Sequence, residues 1–177
     1  MKLLAEYVDD QYPFEYIDHT RLIARAVAFN DDGEIALTKL NSVDKFGVRD
    51  YYELPGGGVQ SGETPEEAIV RELKEEIGYE VSVVTEIGTV SDYYNLIHRH
   101  NVNHFFMVRV GKYVGQKLEP REQAMIEKIE WLPLAEAVAR YENTSDTLIA
   151  GLVKRRELPI LRLALKILTK QGKLPLL

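Results

Sequence analysis

Apolar residues recur at about every second position through residues 21–29 (RLIARAVAF) and 34–40 (EIALTKL), with Asn30-Asp31-Asp32-Gly33 between them. Two period-two segments around a turn-forming cluster predict a β-hairpin. A polar loop over 44–49 and a short strand over 51–54 follow. Further strands are predicted over 80–84 and 87–90, with a bulge between them, over 103–110 (NHFFMVRV) and over 126–132. The period changes in two places. At 100° per residue, Ile69, Val70, Leu73 and Ile77 gather on one side and predict a helix over 65–77; residues 133–141 (PLAEAVARY) predict a second. Beyond these, Ser145 reads as the cap of a helix to about Arg156, and Pro159 as the start of another to about Gln171. A β-rich order with helices at separated positions implies an α/β sandwich. The length of 177 residues suits one domain, 1–177, with a helical extension over about 145–177.

The helix over 65–77 has strong local signals. Thr64 is placed to cap it, Pro65 suits its first turn, Glu67 completes a capping box, and Gly78 stands where a left-handed residue ends it. Its second face carries Glu72, Glu75 and Glu76. Three carboxylates on one helical surface repel one another unless a cation balances them. Glu72 and Glu76 lie one turn apart, so both can reach one cation. Glu75, displaced around the helix, reaches a second cation or acts on water as a base. Ahead of the helix, Gly56-Gly57-Gly58 lets backbone approach a ligand closely. No Gly-Lys-Ser/Thr follows, so this is not a Walker loop.

Taken together, Gly57, Glu63, Arg71, Glu72, Leu73, Glu75, Glu76 and Gly78 resemble the signature of the Nudix (MutT-like) hydrolases: Gly, five residues, Glu, seven residues, then Arg-Glu-aliphatic-any-Glu-Glu-any-Gly-aliphatic. Tyr79 departs from the final aliphatic position, which is a packing site. The resemblance implies a mixed sheet between helices and a Mg2+-dependent pyrophosphohydrolase, with Mn2+ as a possible substitute. It implies Glu72, Glu75, Glu76 and the carbonyl of Gly56 as metal ligands, and a Glu63–Arg71 pair that orients the loop on the helix. Oxygen-bound Mg2+ suits such chemistry because it acidifies water and clamps phosphate oxygens. The family often draws a further acid from a loop before the late strand. Glu119 and Glu122 are the candidates, and Glu122, nearer that strand, is preferred as a catalytic acid or base.

Tyr93 and Tyr94 are candidates for stacking on a nucleotide base, against a reading as surface residues. His98, His100 and His104 lack helical spacing and have no cysteine beside them, which disfavours zinc. The leucine-rich segment ILRLALKIL carries Arg162, Lys166 and Lys170 at four-residue intervals. It fits a membrane-surface helix less well than one packed on its own domain or across a homodimer. With net charge −6, long nucleic acid is not the expected partner, whereas a small nucleotide is, because bound cations reverse the local sign. No cysteine is present, and neither a signal peptide nor an apolar run of membrane-spanning length is apparent, so a cytoplasmic protein is expected. Nucleoside triphosphates, nucleotide sugars such as ADP-ribose and dinucleoside polyphosphates all fit as substrates. The alternative is a Nudix-like nucleotide sensor or regulator without catalysis; the intact acids speak against it.

Overall fold

The computed structural model describes residues 2–170. Eight strands form one mixed sheet: β1 (Leu3–Tyr7), β2 (His19–Phe29), β3 (Glu34–Asp44), β4 (Gly47–Glu53), β5 (Gly56–Gly58), β6 (Tyr79–Tyr94), β7 (Arg99–Tyr113) and β8 (Ile126–Pro133). Four α-helices accompany it: α1 (Pro65–Glu76), α2 (Pro120–Met125), α3 (Leu134–Glu142) and α4 (Leu148–Lys170). The main path runs β1-β6-β7-β2-β3-β4, with β5 paired to β2 and β8 to β3. Strand β2 runs parallel to β7 over its whole length, whereas it meets β3 only at Phe29–Ile35. Past that hairpin base the two strands part. Strand β5 fills part of the space by pairing antiparallel to β2, with Arg25 opposite Gly56.

Alternation along β2 builds the layers. Ala24, Ala26 and Ala28 are fully buried with Phe106 and Val108 against Ala68, Ile69, Leu73 and Ile77 of α1. Small residues at these positions let the helix lie close to the sheet. The opposite face, with Val27, Phe105 and Met107, packs under α3 and α4. The result is the expected α/β/α sandwich. Val70, expected on the apolar side of α1, is exposed.

The C-terminal region differs from expectation. A single helix α4 runs through Pro159, where a break between two helices was expected. A proline inside a helix costs about 3 kcal/mol or more. Here Leu152, Val153, Arg156 and Glu157 before it, and Ile160, Leu161 and Ala164 after it, are all buried, so both flanks are fixed by packing. Ser145 does not cap this helix directly; its hydroxyl accepts from Thr147 N, and the Gly151 N–H reaches Thr147 O. The leucines that suggested a dimer contact pack within the subunit. Residue 171, the expected end of the helix, lies outside the described residues. Strand β1 and the short α2 were not anticipated; of the HRH segment, His98 ends a short 3-10 turn over Asn95–Ile97, and Arg99 and His100 open β7. The irregularity in β6 falls at 83–88, where Gly88 (φ 145°) brings backbone against Leu4 and Lys2 of the N-terminal segment. Among the described residues, no helix is long and apolar enough to cross a membrane.

Candidate active site

The parting of β2 and β3 leaves a cleft of about 240 Å³, lined by Arg21 and Arg25 of β2, Thr38 of β3, Glu76 of α1, Arg99 of β7 and Glu122 of α2 among others. It adjoins a second hollow of about 270 Å³ lined by Gly57, Gly58, Arg71, Glu72, Glu75 and Glu122. A larger hollow, about 970 Å³, lies against α1 and residues 114–117 but touches none of Glu72, Glu76 or the glycines. Glu72 and Glu76 therefore face the two smaller, adjoining hollows, while Glu75 lines both the second of these and the larger one.

Local sequence explains how α1 reaches this place. Thr64 Oγ1 accepts the Glu67 N–H at 3.2 Å, and the Glu67 carboxylate accepts the Thr64 N–H at 2.7 Å, closing the capping box. At the other end, Gly78 (φ 80°) turns the chain. Lys117 N and Gln116 Nε2 donate to the carbonyls of Glu75 and Glu76, which satisfies the helix terminus. The glycine run then meets the helix without side chains in the way. A Cβ on Gly56 would lie 2.1 Å from Ala24 O, and one on Gly57 would lie 2.4 Å from the Glu72 carboxyl.

Glu76 is the most buried of the three helix acids that face the cleft. It accepts from Thr38 Oγ1 at 2.5 Å and from Gly56 N at 2.7 Å. Both bonds favour the charged form, yet burial dominates and pushes its pKa up to about 7. Glu72 is also raised, first by burial, with Glu122 and Glu75 adding repulsion against the opposing pull of Arg71. Glu75 is more open to solvent. Arg71 ties the loop to the helix. Its guanidinium donates to both Glu63 oxygens at 2.6 and 3.2 Å, to Gly58 O at 3.1 Å and to Glu72 at 2.8 Å, with Glu75 at 3.3 Å. Glu63 also accepts the Gln60 N–H at 2.6 Å. The bond to Glu63, above all, raises the Arg71 pKa and keeps it charged. On α2, Glu122 accepts the Glu119 N–H at 2.8 Å and lines both hollows opposite Glu72 and Glu76.

Not every expected residue comes to the cleft. Tyr94 is buried, its hydroxyl accepting from Arg156 at 2.7 Å and its ring set edge-on to Phe46. Tyr93 points to the other face of β6, where it stacks on His100 and donates to Glu6 at 3.1 Å. Neither ring lines the cleft, because strand pairing turns one into the core and the other toward β1. The histidines do not converge either: His98 stacks on Tyr16, while His100 bridges Ser91 and Thr20.

Sequence reasoning missed the ionic floor of the cleft. Arg25 Nη1 donates to Leu54 O at 2.8 Å and pairs with Glu53 at 2.9 Å and Glu157 at 3.6 Å. Glu157 of α4 accepts the Leu54 N–H at 2.7 Å and the Tyr141 hydroxyl at 2.6 Å, and pairs with Arg156. Arg156 in turn lies 3.5 Å from Asp92. Burial works to raise Glu53, but Arg25 and Arg156 more than offset it and hold the carboxyl below its usual range. The available signal was the charged run Lys154-Arg155-Arg156-Glu157 set between apolar residues of a helical stretch.

The donor set fits a hard divalent cation. It offers only oxygen, and two of its carboxylates are held in a wall where burial penalises their charge. Among the described residues, no three carboxylate or imidazole groups already converge as a closed cage.

Glycine turn, Glu63–Arg71 clamp and glutamate helix form one unit on a three-layer sandwich, and the NUDIX domain family model matches residues 19–152. The chain belongs to that family. It is 43% identical over 62 residues to an 8-oxo-dGTP diphosphatase of Proteus vulgaris, covering 35% of this chain and 54% of that protein. It is 32% identical over 94 residues to an 8-oxo-dGTP diphosphatase of Haemophilus influenzae, covering 53% of this chain and 65% of that protein. These matches span less than two thirds of the curated relatives' own lengths. Among solved structures, a NUDIX hydrolase from Nitrosomonas europaea matches with TM-score 0.61 at 18% identity, over 89% of this chain and 94% of its own. At that identity the likeness is one of fold.

Proposed function

We propose that this protein hydrolyses a pyrophosphate bond in a nucleoside diphosphate linked to a further group, using Mg2+, with Mn2+ as a substitute. Nucleoside triphosphates, nucleotide sugars and dinucleoside polyphosphates are the substrate classes. The observation that carries this reading is the Glu76 carboxylate, buried in the cleft wall and aimed by Thr38 and the Gly56 N–H. An acid placed so is poorly explained as a solvated surface group. The named activity of the Proteus relative, an 8-oxo-dGTP diphosphatase, is of the same kind.

In this reading Glu72, Glu76, the Gly56 carbonyl and Glu75 hold the ion. When bound, the ion supplies charge to the phosphate oxygens and acidifies water. Thr38 and the Gly56 N–H fix the Glu76 carboxylate, and the Glu63–Arg71 clamp holds the glycine turn against α1. Glu122 faces these acids from a separate element and, among the described residues, is not held by a guanidinium, whereas Glu75 contacts Arg71. Of the two, we assign to Glu122 the role of accepting the proton of the attacking water.

A panel of nucleotides assayed with Mg2+, with Mn2+ and with excess chelator tests the proposal, with Glu76→Gln as the variant. Turnover should require the ion and fall by about 100-fold or more in the variant. Full turnover in chelator, or none on any nucleotide by folded wild-type protein, would refute it.

A further inference from the structure

Across from the α1 acids the cleft has a cationic wall, shared with Glu119 and with Glu122 of α2. Arg21 of β2, Arg99 of β7 and Arg121 of α2 all line it. Arg25, four residues along the same face of β2, has its charge met by Glu53, Glu157 and the Leu54 carbonyl. Arg21 and Arg99 are attracted only at longer range, Arg21 by Glu72 and Arg99 by Asp92. Among the described residues, neither forms an ion pair or a side-chain hydrogen bond, and the buried Nε of Arg99 is without a partner. The guanidinium of Arg99 rests only on the Tyr94 ring, 5.6 Å from its centroid. Burial, then repulsion from Arg21, lowers the Arg99 pKa to about 10. Arg21 is likewise lowered by burial and by its neighbours Arg25 and Arg121.

The placement is built into the backbone. In the parallel β2–β7 pairing Arg21 stands opposite Asn101 and Arg99 opposite His19, so both arginines share one face of adjacent strands. A Cβ on Gly58 would lie 2.6 Å from the Arg21 guanidinium, so the third glycine of the turn leaves room for this side chain. Asn101, on the same face, is fully buried, and neither of its side-chain amide atoms has a partner among the described residues. Arg21 is exposed and Arg99 half-buried, so water meets part of their charge, and a ligand that brings negative charge would relieve the repulsion that remains.

We propose that Arg21 and Arg99 form an anion subsite for a terminal phosphate of the substrate, beyond the pyrophosphate that the acidic wall addresses. This rests on the pyrophosphohydrolase reading above and narrows it. A pyrophosphate capped at both ends, as in a nucleotide sugar, carries no free terminal phosphate to place in this subsite. A terminal phosphate adds about 1.5 to 2 negative charges near neutral pH, enough to balance two guanidinium groups. Guanidinium binds phosphate oxygens through paired, charge-assisted hydrogen bonds. The substrate class is therefore a polyphosphate chain with a free end, such as a nucleoside triphosphate.

Two measurements on the full chain decide the matter. First, binding of inorganic tripolyphosphate is followed by calorimetry for wild type, Arg21→Gln and Arg99→Gln. Each variant should lose about ten-fold or more in affinity. Retention within two-fold by both would overturn the subsite. Arg21 is at the mouth of the cleft, so its variant decides the test if Arg99→Gln fails to fold. Second, kcat/KM is measured with Mg2+ for ATP and ADP-ribose, which share a base. Wild type should favour ATP, and Arg21→Gln should lower the ATP/ADP-ribose ratio about ten-fold or more. A wild type favouring ADP-ribose, or an unchanged ratio, would overturn the substrate class. If wild type cleaves neither compound, the ratio is taken on the triphosphate and the nucleotide sugar that the nucleotide panel finds cleaved; failure of the whole panel overturns the hydrolase reading, and tripolyphosphate binding then judges the subsite alone.

Discussion

Removing divalent metal should make the protein less stable as pH rises, and Glu76 should be the main cause. In the metal-free fold its carboxyl is pushed from an ordinary 4.5 to about 7. Between those values the unfolded chain has lost its proton while the native chain keeps it. The native state then binds more protons than the unfolded state, so stability declines with rising pH through this window and levels off above it. A span of about 2.5 units corresponds to roughly 3 kcal/mol. For a domain of this size, that is a fall in Tm of about 10 °C. Glu72 is shifted in the same direction and adds to the effect. Glu53 is shifted the other way; its stabilisation is present at higher pH and is lost as pH falls through its lowered value. The comparison that isolates Glu76 is therefore wild type against Glu76→Gln, both in chelator, melted from pH 4.5 to 8. Wild type should lose stability relative to the variant across this range. Millimolar Mg2+ should then restore wild type most at the alkaline end, where the site is free of protons. Parallel curves for the two proteins would mean that Glu76 titrates as an open surface acid, and would refute the argument.

Two other perturbations separate the floor of the site from its acidic wall. Glu157→Ala strands Arg156, Arg25 and the Leu54 N–H in the interior, and should destabilise the protein by about 3–5 kcal/mol, read from urea unfolding followed by the fluorescence of Trp131. A loss below about 1 kcal/mol would show that these partners find water. Gly57→Ala should leave the fold standing, since the nearest atoms its Cβ meets are the carboxyl end of Glu72 and not backbone, yet should lower kcat/KM about ten-fold or more by displacing that carboxylate. Gly62→Ala is the control: it carries a left-handed φ of 87° with nothing within 4 Å, so it should cost only about 1–2 kcal/mol of stability and spare turnover.

What could be read in advance follows the range of each interaction. The capping box of α1, its glycine stop and the Glu63–Arg71 spacing are set within about two turns of helix and the loop before it, and such signals survive in a bare sequence. The tyrosines did not, because Tyr93 and Tyr94 differ only in which face of β6 they take, and that depends on β1 and α4 far away in the chain. Pro159 misled for a related reason. The local rule weighs one lost backbone bond and one clash, whereas burial on both sides of the proline keeps α4 whole. Arg21 and Arg25 read as ordinary polar positions on a strand, and Arg99 lies ahead of the strand expected over 103–110, until the parallel pairing of β2 with β7 brings them together beside the glycine turn.

The longest-range of these contacts bears on where the working unit ends. The segment matched to the family stops at residue 152, yet Glu157 lies beyond it and accepts the N–H of Leu54, two residues before Gly56. Its other oxygen serves Arg156, and Arg25 comes within 3.6 Å of it. Arg25 meanwhile stands opposite Gly56 in the β2–β5 pairing and donates to the Leu54 carbonyl. The backbone on which the Gly56 carbonyl is presented is thus held from below by α4 and from the side by β2. We infer that α4 is part of the catalytic domain and not an appendage to it. A buried carboxylate that binds a main-chain N–H and two guanidinium groups has no favourable state once the helix is withdrawn, and neither have its partners.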